Sequence, residues 1–150
     1  MSRLDLALQH AKQIRRNLLR SKSGYDPDGH RSWPRSLKGA CGVAALQLAV
    51  RLGDPKTLCT GAFYVAAIDP WDRLHDHAWN LVGNYIVDIT ATQFACDGGI
   101  EYPAVHVVHR NSKEAFRYFF GKRGLKAAHE LCQWEYKDAD RLVAQLAAYS

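Results

Sequence analysis

The sequence has no apolar run approaching the roughly 18 residues that a membrane-spanning helix needs. Its longest apolar stretch, GAFYVAAI at 61–68, suits a buried strand. The first twenty residues, MSRLDLALQHAKQIRRNLLR, have no continuous hydrophobic block of the kind that opens a secretory signal. A cytoplasmic location is therefore expected, or export as an effector without a classical signal peptide. Cysteine is scarce and scattered: Cys41, Cys59, Cys96 and Cys132 form no CxxC pair. That spacing disfavours a structural zinc site, and a disulfide framework is not expected either. Repeats, low-complexity tracts and interdomain linkers are all missing, so 1–150 reads as one domain. An apolar content of 47% and a charged content of 23% are ordinary for a globular chain with a continuous core.

Charge is the mildest bias. The net value is +5, with basic clusters at Arg15, Arg16, Arg20, Lys22 and at Lys122, Arg123, Lys126. Such a balance favours acidic partners, but no nucleic-acid motif accompanies it. A solvated face is the expected role, and a non-enzymatic basic binding module is the rival to any catalytic reading.

Hydrophobic spacing divides the chain. Leu4, Leu8, Ala11, Ile14, Leu18 and Leu19 recur at helical intervals, which predicts an amphipathic first helix. SKSGYDPDGHRSWPRSLKGA at 21–40 is rich in Gly, Pro, Ser and Asp and reads as a long loop. CGVAALQLAVRLGD follows as a second helix from Cys41, with Gly53 as its stop. Strand-like runs come next: TGAFYVAAI, HDHAWNLV, YIVDIT and AVHVVH. NSKEAFRYFFGKRG is expected to resume helix, capped by Asn111 or Ser112 with Glu114 in the first turn, and DADRLVAQLAAYS is expected to close the chain as another helix. This order predicts an α+β fold, with N-terminal helices packed on an antiparallel sheet and further helices at the C-terminal end.

The densest chemistry lies in LHDHAWNLVGNYIVDIT at 74–90. Gly83 and Asn84 suit a two-residue hairpin turn, which sets Val82 opposite Tyr85, Trp79 opposite Asp88 and His77 opposite Thr90. Alternation then places His77, Trp79, Asp88 and Thr90 on one face. His77 and Asp88 become diagonal neighbours, with Cα atoms roughly 7–8 Å apart and strand twist able to join their side chains. A carboxylate fixes the tautomer of a neighbouring imidazole and stabilises its protonated form, which makes a general base. Cys41 supplies the complementary group. It opens a helix, where unpaired N–H groups and the positive dipole end favour a thiolate and could receive an oxyanion. Gly39 and Gly42 leave room beside it.

A loop-delivered cysteine on an early helix, then HAW on one strand and VDIT on the next, resembles the transglutaminase-like branch of papain-fold thiol enzymes. The resemblance spans Leu37 to Phe94. It implies Cys41 as nucleophile, His77 as base and Asp88 as the group that orients it. It also implies a thioester route that serves amide hydrolysis, deamidation, cross-linking or acyl transfer, with no cofactor. Two positions depart from the family pattern: Arg35 stands where papain-type proteases carry the oxyanion-hole glutamine, and Gly42 stands where many relatives have tryptophan. The oxyanion donor beyond the Cys41 backbone is thus unassigned. Gly42, Trp79 and Gln93 are candidates to line the substrate and oxyanion pocket. The expected function is a thiol-dependent protein-glutamine deamidase, as in an effector or toxin with an inhibitor or immunity protein. A papain-like protease acting on a peptide or protein is the alternative.

A metal reading uses His75 and His77, which share a strand face, with Asp88 or His106 as a third ligand. It leaves Cys41 and its helix without a role, and no HExxH helix supplies a base. Purified protein is therefore expected to carry no stoichiometric zinc and to keep activity in chelator. Elemental analysis finding one tightly held metal per chain would restore the His75/His77 reading.

Overall fold

The computed structural model describes residues 1–21, 37, 39–67, 69–94, 102–134 and 139–149. Among them the chain is α+β, with four α-helices and a five-stranded antiparallel sheet. Helix α1 (Arg3–Arg20) starts at a capping box: the Ser2 hydroxyl accepts the Asp5 N–H, and the Asp5 carboxylate accepts the Ser2 N–H. Its fully buried stripe is Ala7, Ala11, Ile14 and Leu18, whereas Leu4 and Leu8 are half-buried and Leu19 faces solvent. Helix α2 (Cys41–Leu52) ends where expected, because Gly53 adopts a left-handed φ of 61° and returns its N–H to the last turn. It is apolar nearly all round and is therefore the central helix, in contact with α1, the sheet and the C-terminal helix.

The sheet order is β4-β3-β2-β1-β5, built from β1 (Leu58–Tyr64), β2 (Leu74–Val82), β3 (Tyr85–Asp88), β4 (His106–His109) and β5 (Tyr118–Arg123). The β2–β3 hairpin has the register read from sequence, Val82 opposite Tyr85 and Asn80 opposite Val87, around Gly83 at φ 61°. Beyond Asp88 the chain leaves the ladder, and Thr90 gives its N–H to the Asp88 carboxylate.

Alternation along β2 separates two cores. Ala78 and Val82 join the helices, while Trp79 and Leu81 join a second cluster with Phe63, Ile86, Phe94, Val108 and Tyr118. All four described α-helices pack on the first side. On the second, the sheet curls until its edge strands meet: the His106 and Tyr118 rings stack at 6.3 Å, and the Arg110 guanidinium lies 5.6 Å from the centre of the Phe120 ring.

The expected helix over NSKEAFRYFFGKRG is corrected. Residues Lys113–Arg117 form a short 3-10 turn and Tyr118–Arg123 is strand β5. Ser112 does stand at the N-cap of that short turn with Glu114 in it, but its hydroxyl donates to the His109 carbonyl (2.7 Å) and makes no side-chain cap. The aromatic run Tyr118-Phe119-Phe120 favours a strand and finds β1 as partner. A helix absent from the sequence reading, α3 (Leu125–Gln133), follows Gly124, and α4 (Ala139–Ala147) lies within the expected last helix. Of the long loop, Ser21, Leu37, Gly39 and Ala40 are described; the remainder, with Lys22 and Arg35, lies outside the described residues. Arg15, expected on a solvated face, instead turns inward and donates to the Ile89 carbonyl (2.8 Å) and the Thr92 hydroxyl (3.2 Å), tying α1 to the end of β3. No helix among the described residues is long and apolar enough to cross a membrane.

The β1–β5 pairing shifts register between Thr60 and Gly61, where Gly61 meets Gly121. A Cβ on Gly61 would land on the Phe119 carbonyl oxygen and within 3.0 Å of the Trp79 ring. Gly61→Ala is therefore expected to destabilise the fold by about 2 kcal/mol or more. Urea denaturation followed by tryptophan fluorescence checks this, and an unchanged midpoint would refute the close approach.

Candidate active site

The hairpin brings His77 and Asp88 into direct contact. The imidazole Nε2 lies 2.7 Å from Asp88 Oδ2, and both side chains are fully buried. A carboxylate only accepts, so Nε2 carries the proton and Nδ1 is left for chemistry. Asp88 takes two further donors, the Tyr118 hydroxyl at 2.7 Å on the same Oδ2 and the Thr90 N–H at 3.0 Å on Oδ1. Rings enclose the pair: Phe94 lies edge-on to His77 at 4.9 Å, Phe63 at 5.5 Å, and Trp79 is tilted against it at 5.8 Å.

Burial alone would lower the His77 pKa, but the Asp88 charge and hydrogen bond overcome it, and Cys41 adds in the same direction. The result is an imidazole raised from 6.5 to about 10. Burial would likewise raise Asp88, yet the His77 charge and the bonds from His77, Tyr118 and Thr90 hold its carboxyl below the usual 3.8. The pair is thus held as imidazolium and carboxylate.

Cys41 is the first residue of α2 and exposes 5% of its surface. It acts on His77 by charge and as a hydrogen-bonding group, although Nδ1 meets no partner at full hydrogen-bond geometry among the described residues. The thiol and the imidazole thus act on one another across the start of α2. Ala40 precedes it in the N-cap position and offers no side-chain cap, so the dipole end of α2 is not spent on a capping hydroxyl or carboxylate. The approach is held by a turn in which the Ala40 N–H donates to the Leu37 carbonyl at 3.0 Å. Leu37 is fully buried at a φ of 56°, a conformation that costs a branched residue about 1 kcal/mol. Burial pushes the Cys59 thiol up to about 11 and also raises that of Cys132. Cys96 lies outside the described residues.

The weaker pocket candidates distribute unevenly. Gly42 is buried in the first turn of α2, and Trp79 is buried beside His77 and Tyr118. The Gln93 amide donates to the Thr90 hydroxyl at 3.1 Å, and Thr90 in turn gives its N–H to the Asp88 carboxylate. His75 donates from Nε2 to the Asp72 carbonyl at 2.7 Å, and no three His, Cys, Asp or Glu side chains among the described residues converge as a metal-ligand set.

One residue was missed from sequence: Tyr118, which reaches Asp88 from β5. His106, named from sequence only as an alternative metal ligand, stands opposite Asp88 in the β3–β4 ladder with its ring stacked on Tyr118. Reading YFF as a strand would have put Tyr118 on one sheet face, but nothing local says which strand it joins. Comparison with family models, curated proteins and solved structures finds no match for the chain. What the site does has to follow from its own chemistry.

The pair makes stability depend on pH. His77 is raised on folding, so its contribution is complete below pH 6.5 and disappears as pH rises through about 10. Asp88 is depressed, so its contribution is present above 3.8 and is lost as pH falls through its lower folded value. The urea midpoint is expected to fall steadily from pH 6.5 to about 10. Asp88→Asn should flatten that decline and cost roughly 3 kcal/mol on its acid side. Equal slopes for the two proteins would show that the pair is not charged.

Proposed function

We propose that the protein is a thiol-dependent amide hydrolase in which Cys41 attacks, His77 transfers protons and Asp88 orients the imidazole. The observation that carries this reading is the buried 2.7 Å His77–Asp88 contact beside a cysteine that opens a helix. Cys41 as thiolate adds to the carboxamide carbon, and the oxyanion develops at the start of α2, where backbone N–H groups and the helix dipole favour negative charge. His77 then gives its Nδ1 proton to the departing nitrogen, which leaves as ammonia or an amine. Water gives a proton to the same Nδ1 and attacks the resulting thioester, and collapse releases a carboxylic acid and restores the thiolate beside the imidazolium. Amide and water thus become acid and amine.

Of the substrates open to this chemistry, the side-chain carboxamide of a protein glutamine is the first assignment. With 5% of Cys41 exposed, a carboxamide on a slender stem reaches the sulfur more easily than a peptide bond flanked by chain on both sides. Such a deamidase reading also suits an effector acting on a host or competitor protein.

Iodoacetamide at near-neutral pH is expected to modify Cys41 before Cys59 and Cys132, whose thiols are pushed upward. Mass spectrometry identifies the site, and faster labelling of Cys59 or Cys132 would remove Cys41 as nucleophile. In a screen of glutamine-containing proteins, ammonia without new termini identifies a deamidase, and new termini identify a protease. Cys41→Ala and His77→Ala should each lower turnover by on the order of a thousandfold or more, with the double variant hardly worse. A folded Cys41→Ala protein with near-normal turnover would end the thiol-hydrolase reading.

A further inference from the structure

The Asp88 carboxylate is anchored from two directions. His77 approaches Oδ2 from the neighbouring strand β2, and Tyr118 approaches the same oxygen from β5, at the far edge of the sheet. Asp88 is the last residue of β3, so the ladder beyond it does not fix its side chain. The phenol, by contrast, is held rigidly: it is 5% exposed, edge-on to Phe63 at 5.0 Å and to Trp79 at 5.1 Å.

We propose that Tyr118 is a positioning residue of this site, whose hydroxyl both orients the Asp88 carboxylate toward His77 and limits the negative charge that carboxylate offers the imidazole. The proposal rests on the thiol-hydrolase reading for its effect on turnover, while its effect on His77 stands on the contact alone. The sharing of one oxygen decides the sign. An O–H that donates to Oδ2 draws on the same lone-pair density as the imidazolium N–H, so the two donors compete for it. Removing the phenol makes the carboxylate more basic and binds the imidazole proton more tightly. The phenol cannot itself relay a proton near neutrality, because burial and the Asp88 charge push its own pKa well above 10. It is a fixed donor. Other groups act on the pair as well: Arg15 from α1, Cys41 from α2, His106 from β4 and Tyr102 ahead of it. Tyr118 acts on the carboxylate itself, through its 2.7 Å hydrogen bond to Oδ2.

The test compares Tyr118→Phe with the unmodified protein by NMR titration of the His77 ring and by the pH profile of Cys41 alkylation. The His77 midpoint should move upward by about one pH unit, as expected for losing a hydrogen bond to a charged group. The alkaline limb of the Cys41 profile should move with it, and kcat should fall roughly tenfold with KM unchanged. In the Asp88→Asn background, Tyr118→Phe should produce no such movement. Tyrosine serving only as packing would change stability and leave both profiles in place, and a folded Tyr118→Phe protein with superimposable profiles overturns the proposal. So does an equal shift in the Asp88→Asn background. If Tyr118→Phe does not fold, the unmodified protein decides. A slowly exchanging hydroxyl proton with a nuclear Overhauser contact to the His77 Nε2 proton supports the proposal, and a freely exchanging hydroxyl refutes it. Failure of the hydrolase reading is separate: Cys41→Ala would then keep turnover, whatever the His77 titration does.

Discussion

A charged imidazole and a carboxylate, both sealed from water, are the constraint around which the rest is arranged. Removing two charges from solvent costs more than their attraction returns unless nearly every lone pair and proton is matched. Here the matching is close to complete on the Asp88 side, where His77, Tyr118 and Thr90 supply three donors. Each donor comes from a different segment. The pair therefore demands the hairpin register, the path of the chain just after β3, and the placement of β5, all at once. A slip of one residue in β2 would turn His77 to the helix side and leave Asp88 buried without its main partner.

That demand explains the shape of the sheet. A flat five-stranded arrangement would keep β5 three strands away from β3, too far for a phenol to reach. Curling brings the start of β5 across to the end of β3 and closes an aromatic core of Phe63, Trp79, Phe94 and Tyr118 beneath the pair. The close approach of Gly61 and Gly121 allows the shift in register that bends β1 against β5. The aromatic cluster has a second effect, since it keeps water from the carboxylate and so strengthens every electrostatic contact made there.

Helix α2 contributes differently. Its packing is decided by an apolar surface on almost every side, and that burial fixes where its first residue lies. The sulfur of Cys41 is thereby held at a helix start whose N-cap, Ala40, makes no side-chain cap, against an imidazole already committed to its carboxylate. Cys59 has the same functional group but sits in the sheet interior, where burial suppresses ionisation.

The sequence by itself determined the local features. Gly53 ended α2, Gly83 and Asn84 set the hairpin, and alternation put His77 and Asp88 within reach, because turn chemistry and strand periodicity act over a few residues. It also pointed to Cys41, through an apolar helix beginning at that residue. Tertiary structure alone decided the rest. Arg15 reads as one more surface cation until Ile89 and Thr92 are folded against it. Tyr118 lies in a segment that carries a plausible helix start, and it became a strand only because β1 offered an edge and Gly121 a fit. Its bond to Asp88 spans thirty positions in the chain. Contacts of that separation depend on which strands pair and how far the sheet curls, and no local pattern of side chains encodes either.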